Sequence, residues 1–152
     1  MIAAFRSGRT TIELAAIEPH VICLVDFLRS LGITISVSHD HTITIDGIKH
    51  APQSAETTVI HDYIESGTFV ILGALTARES IVINHARTRD LRFFIAKCRE
   101  AGIKMDIDET SDTITVYNSR ESLRAVNFQT NIYPGFPTDL QSPFSLLLTQ
   151  AE

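Results

Sequence analysis

The chain is poor in positive charge, in cysteine and in long apolar runs, and each shortage excludes a class of function. Lys and Arg number 13 against 18 Asp and Glu, a formal charge of −5. There is no basic footprint for nucleic acid, so no nucleic-acid partner is expected. No apolar run approaches the roughly 20 residues that span a bilayer. The N-terminus lacks the basic, apolar and cleavage-site order of a signal peptide, so neither membrane nor export is expected. Cys23 and Cys98 both fall in predicted helices, without Cys-x-x-Cys spacing. Reduced thiols in a cytoplasmic chain are the expectation, each packed as a small hydrophobe. No glycine-rich phosphate loop occurs; Gly67 and Gly73 lie inside a helical pattern, where close packing explains them. His39-Asp40-His41 invites a metal reading, but it falls in a predicted hairpin loop with no third ligand nearby. Turn chemistry accounts for it, and no metal or cofactor is expected. His61 precedes Asp62 and is in reach of it, but no placed nucleophile accompanies the pair.

What remains is an ordinary globular composition, 44% hydrophobic and 20% charged over 152 residues, enough for one domain or two. Its strongest internal signal is repetition. Gly32 and Gly102, 70 residues apart, each end a helical pattern. The apolar stripe Val21, Leu24, Leu28, Leu31 returns as Leu91, Phe94, Cys98, Ala101. After each glycine comes period-two alternation, Ile33, Ile35, Val37 and then Ile103, Met105, Ile107, the mark of a strand with one buried face. Partner strands follow at 43–45 and 114–116, where the second copy carries one extra loop residue.

The complete copy reads strand 58–60, helix 63–77, strand 81–84, helix 88–101, strand 103–108, strand 113–117, a βαβαββ unit. The first copy keeps only residues 1–6 of its first helix, and its strand 11–14 matches 81–84 at the same offset. A third copy opens with strand 123–129 and stops inside helix 144–152. The expectation is a fragment of a longer repetitive protein, with 46–56 as a Gly- and Pro-punctuated connection. Helix 63–77 is apolar around most of its circumference through Ile64, Phe69, Val70, Leu72, Ala74 and Leu75, which predicts burial on all sides.

The most informative segment is Tyr133-Pro134-Gly135-Phe136-Pro137-Thr138-Asp139-Leu140-Gln141. Two prolines and a glycine stiffen the approach to one acid, Asp139, just before an apolar helical run. Such a loop can present a carboxylate at the rim of a cleft; it can equally supply a helix N-cap, for which Thr and Asp are both suited. Ser142-Pro143 is a good cap followed by a good first residue, which would start the helix at Pro143 and leave Asp139 free.

This segment resembles the Pro-Thr-Asp segment of the UDP-N-acetylglucosamine enolpyruvyl transferase (1-carboxyvinyltransferase) family. Two further segments agree. Thr10-Thr11-Ile12-Glu13-Leu14-Ala15-Ala16, then Glu18-Pro19, resembles the family's Thr-Thr-Ile-Glu-Asn-Ala-Ala…Glu-Pro. Asp62-Tyr63-Ile64-Glu65-Ser66-Gly67-Thr68-Phe69 resembles its Asp-Arg-Ile-Glu-Ala-Gly-Thr-Phe. The resemblance implies an α/β fold of repeated βαβαββ units, six in two domains, with helices inside and sheets outside each, incomplete here. Residues 1–60 would be the end part of the first domain and 61–152 the start of the second. It implies transfer of the enolpyruvyl group of phosphoenolpyruvate to the 3-hydroxyl of UDP-N-acetylglucosamine, by addition and then elimination of phosphate, in peptidoglycan precursor synthesis.

On that resemblance Asp139 is the catalytic acid–base residue, and Asp139 with Thr138 binds substrate. Asp62 and Glu65 lie near a cleft, although acids in a first turn are also explained by the helix dipole alone. The family's Lys-Asn pair, its loop cysteine and its phosphate-holding arginines are not in this chain, so residues 1–152 alone are not expected to turn over. Leu14, Tyr63 and Pro143 depart from the family pattern. Two other readings stay open: a shikimate-pathway enolpyruvyl transferase, and a truncated copy serving as a structural or interaction module.

Overall fold

The computed structural model describes residues 1–50 and 54–151. Ala51, Pro52 and Gln53 of the predicted connection, and Glu152, lie outside the described residues. The chain divides into two compact units, Met1–Ile60 and His61–Glu152.

The first unit runs from a 3-10 turn, Ile2–Phe5, through strand β1 (Gly8–Ile12), helix α1 (Pro19–Ser30) and strands β2 (Thr34–Val37) and β3 (Ile43–Gly47). The second runs through helix α2 (Tyr63–Thr76), strand β4 (Ser80–Ile83), helix α3 (Arg92–Glu100) and strands β5 (Met105–Asp108) and β6 (Thr113–Tyr117). Two 3-10 turns follow, Arg120–Ser122 and Thr138–Leu140, and then helix α4 (Gln141–Leu148). Each unit holds one three-stranded antiparallel sheet, in the order β1-β3-β2 and β4-β6-β5. The hairpin's second strand is central in both, so the repetition read from the sequence is a repetition of topology.

The two glycines carry that repetition because both close a helix in the left-handed region, at φ +87° and +88°. The Gly32 amide donates to Arg29 O and the Ile33 amide to Leu28 O; the Gly102 amide donates to Arg99 O and the Ile103 amide to Cys98 O. This paired closure satisfies helix-end carbonyls and needs a residue without a Cβ penalty. The offset is not uniform, however. Ile12 pairs with Ile43 and Ile83 with Ile114, so β1 corresponds to β4 at 71 residues. The left-handed residues Leu14 and His85 agree with that offset. Aligning strand 11–14 with 81–84 at 70 is therefore one residue out of register. In a strand that slip exchanges the two faces.

Several predicted elements differ. Strand 58–60 and strand 123–129 are not strands, since neither segment has a ladder partner among the described residues. The last predicted helix begins at Gln141 rather than Phe144, and α3 begins at Arg92 because Thr88–Leu91 forms a turn. In α1 the buried stripe uses Val25 and Leu28, while Leu24 is exposed; all four members of the second stripe are buried.

Helix α2 is not surrounded. Val70, Ile71, Gly73 and Ala74 are buried, but Glu65, Thr68, Phe69, Leu72 and Thr76 form an exposed face, with Phe69 42% and Leu72 48% accessible. The elements that pack on α2, namely β4, β6, α4 and the turn Thr138–Leu140, leave that face uncovered. Gly73 admits the sheet: a Cβ there would stand 2.6 Å from Ile81 Cγ1 and 3.3 Å from Val116 Cβ.

Candidate active site

Thr138 and Asp139 sit on the 3-10 turn Thr138–Leu140, which runs directly into α4. The N-cap position of α4 is Leu140, with no side-chain cap, so the capping role open to Asp139 from sequence is not the one it plays. Pro143 falls inside the first turn of α4, where its missing N–H costs no intrahelical bond. Both Thr138 and Asp139 are exposed. Among the described residues no hydrogen bond or ion pair occupies the Asp139 carboxylate.

Two buried anchors hold this exposed pair. On one side Phe136, 2% accessible, packs among Phe94, Phe128 and Phe144 with ring centroids 5.0–5.6 Å away. On the other, Leu140 is fully buried against Gly67 of α2; a Cβ on Gly67 would stand 2.5 Å from Leu140 Cδ1. Gly67 thus opens the space that seats the turn beside α2. Backbone bonds complete the brace: the Asn131 amide donates to Phe136 O at 2.9 Å, and the Gly135 amide to Ile132 O at 2.7 Å. The loop is stiff because packing and hydrogen bonds hold it, beyond the restriction its prolines impose.

Tyr133 adds an attachment that sequence reasoning missed. Its hydroxyl donates to Asp90 Oδ1 at 2.8 Å, while Asp90 Oδ2 pairs with Arg87 Nε and Nη2 at 2.7 and 2.6 Å. Burial, then the bond to Asp90, push the Tyr133 phenol up to about 12, so it is a donor and not a base at neutral pH. No sequence signal links residues 43 apart; only the Tyr-Pro dipeptide marked the position as constrained.

Asp62 and Glu65 resolve into different roles. Asp62 is the N-cap of α2, accepting from the Ile64 and Glu65 amides at 2.8 and 3.4 Å. Glu65 is exposed in the first turn, as the helix dipole favours. Neither is joined to Asp139 by a hydrogen bond. The His61 ring stacks on His85, centroids 4.6 Å apart and planes 7° from parallel, and among the described residues it makes no hydrogen bond to Asp62. His39-Asp40-His41 is a turn: the Ser38 hydroxyl donates to Asp40 and holds its carboxyl below the ordinary range, and His41 takes φ +61°. Among the described residues no cluster of three or more potential metal ligands occurs. Cys98 is fully buried, and desolvation pushes its thiol well up, which makes it inert. A concavity of about 340 Å³ against α3, lined by Thr88, Arg92, Arg99 and Glu109 among others, does not include Asp139.

A family model described as EPSP synthase (3-phosphoshikimate 1-carboxyvinyltransferase) matches residues 1–152, the whole chain. The chain belongs to the EPSP synthase family. Within that family it is 42% identical over 152 residues to UDP-N-acetylglucosamine 1-carboxyvinyltransferase 2 of Bacillus cereus, covering 99% of this chain and 34% of the relative. It is 39% identical to the protein of the same name in Bacillus subtilis, covering 100% of this chain and 34% of the relative. The solved structure of the enolpyruvyl transferase NikO from Streptomyces tendae matches with a TM-score of 0.85 at 28% identity, over 99% of this chain and 35% of that one. The architecture is thus part of an enolpyruvyl transferase fold, and the chain spans about a third of the length of the curated relatives it matches.

Proposed function

We propose that the protein carrying residues 1–152 transfers the enolpyruvyl group of phosphoenolpyruvate to the 3-hydroxyl of UDP-N-acetylglucosamine, with Asp139 as its acid–base residue and Thr138 beside it on substrate. The observation that carries this reading is an exposed carboxylate with no structural duty, braced between two buried anchors on the Pro-Thr-Asp turn. An alcohol is a weak nucleophile; it needs a fixed acceptor as its oxygen bonds to the electrophilic carbon and its proton leaves. The methylene carbon of phosphoenolpyruvate takes up a proton in that addition and gives one up as phosphate departs and the double bond re-forms. The names of the relatives favour the nucleotide-sugar acceptor over the shikimate alternative. On this reading the reaction belongs to peptidoglycan precursor synthesis in the cytoplasm; among the described residues no helix is long and apolar enough to cross a membrane.

The same reading assigns residues 1–60 to the end part of one domain and 61–152 to the start of the next. The division of the chain at Ile60 supports it. The uncovered face of α2 is then where further units of the fold pack, and residues 1–152 alone do not turn over. Asp62 and Glu65 serve α2 first and the cleft only through it. The test is Asp139→Asn in the full-length protein. Asn still accepts a hydrogen bond from the ground-state hydroxyl but cannot take its proton, so kcat falls about 10²–10⁴-fold while nucleotide-sugar KM changes little. An unchanged kcat overturns the assignment.

A further inference from the structure

We propose that Tyr133 is a positioning residue for Asp139, acting through its hydrogen bond to the Asp90–Arg87 pair; this rests on the catalytic reading of Asp139 above. The turn carrying Asp139 is anchored on its far side by Leu140 and in its middle by Phe136. The near end is fixed at Tyr133, and there the anchor is polar. Asp90 divides its two oxygens, Oδ1 to the Tyr133 hydroxyl at 2.8 Å and Oδ2 to Arg87. Its side chain is only 14% accessible, so water competes poorly for either oxygen.

Arg87 is itself held. Its amide donates to Asp112 Oδ2 at 3.0 Å, and the Thr88 amide and hydroxyl donate to Asp112 Oδ1 at 2.8 and 3.0 Å. Asp112 lies in the loop between β5 and β6, so the chain of contacts runs from the sheet hairpin through residues 87–90 to the loop. The Tyr133 ring also meets the edge of Tyr63, the first residue of α2, at 6.5 Å. Tyr133 therefore ties two elements together, its hydroxyl to Asp90 in the turn that leads into α3 and its ring to Tyr63 at the start of α2. The hydroxyl hydrogen is committed to Asp90 Oδ1, and burial with that bond keeps the phenol protonated at neutral pH, so it is not a base. Fixing the loop is what it contributes, and a shift of about 1 Å in a catalytic group costs up to about 10²-fold in rate.

Tyr133→Phe removes this hydroxyl and keeps the ring against Tyr63. In the full-length protein the expected result is a fall in kcat of about 10-fold, with KM for UDP-N-acetylglucosamine changed less than about 2-fold and the melting temperature lowered by a few degrees, because Asp90 Oδ1 loses its donor where water replaces it poorly. On an Asp139→Asn background the same change should cost nothing further, because a base that is absent cannot be mispositioned. An unchanged kcat in Tyr133→Phe, with Asp139→Asn impaired, overturns the positioning role alone. A full 10-fold loss on the Asp139→Asn background also overturns it, since the tyrosine then acts elsewhere. An unimpaired Asp139→Asn overturns the catalytic reading and the positioning role with it.

Discussion

Gly67→Ala joins helix propensity, packing and catalysis in a single atom. In an exposed helix interior the change would stabilise by about 1 kcal/mol, because alanine loses less backbone entropy. Here the new Cβ would stand 2.5 Å from Leu140 Cδ1, 2.9 Å from Cδ2 and 3.3 Å from Cγ, so the fully buried Leu140 side chain has to shift to admit it. Overpacking of this kind costs about 1–3 kcal/mol, so set against the propensity gain the steric term wins at mid-range and the net loss is about 1 kcal/mol, within about 0–2. Urea unfolding is the assay, followed by tyrosine emission. The chain has no tryptophan, and its three tyrosines, Tyr63, Tyr117 and Tyr133, all lie in the second unit, so the signal reports that unit alone. With m about 1–2 kcal/mol/M, the midpoint should fall by about 1 M. Gly73→Ala is the control. Its Cβ would press on Ile81 and Val116 of the sheet instead, at 2.6 and 3.3 Å. Both variants lose similar stability, but only Gly67→Ala pushes the turn that carries Asp139, so only it lowers kcat in the full-length protein. A raised midpoint in Gly67→Ala would refute the packing argument, and equal kcat losses in the two variants would refute the link to the site.

Burial opposes the charge of Asp112, but the bonds from the Thr88 and Arg87 amides, the Thr88 hydroxyl and the Arg87 charge outweigh it and hold the carboxyl below its ordinary range. A carboxylate lowered in the folded state stabilises above its unfolded pKa, and that contribution is lost as pH falls through the folded value. Asp112→Asn should therefore cost about 1 kcal/mol at pH 7, the low end for bonds to a charged acceptor because solvent partly screens it, and the gap to the parent should narrow as pH falls below the ordinary carboxylate range; a gap that persists in acid counts against it. The two thiols should separate cleanly with a thiol-specific reagent. Cys23, half-buried on α1, reacts in the native protein, whereas Cys98 reacts only as its unit unfolds, and native labelling of both would contradict its burial.

Local patterns that carry their own physics were legible from residues alone. Gly32 and Gly102 announced two helix ends because only a left-handed residue closes them in this way, and both do. Thr113–Tyr117 forms the strand its alternation predicts. Gly67 and Gly73 were readable as close-packing positions, and the stiff loop before α4 as a device for presenting an acid. Tertiary structure decided the rest, because it turned on partners distant in sequence. Segments 58–60 and 123–129 have strand-like composition but no neighbour among the described residues to complete a ladder, and strand formation depends on that neighbour. The register of β1 against β4 came from cross-strand pairing, which a one-residue insertion in a turn can shift without a trace in composition. Whether Asp139 capped α4 or stood free depended on where that helix began, a choice settled by burying Leu140 against Gly67. The bond from Tyr133 to Asp90 spans 43 residues and exists only because folding brings the entry to α3 against the loop.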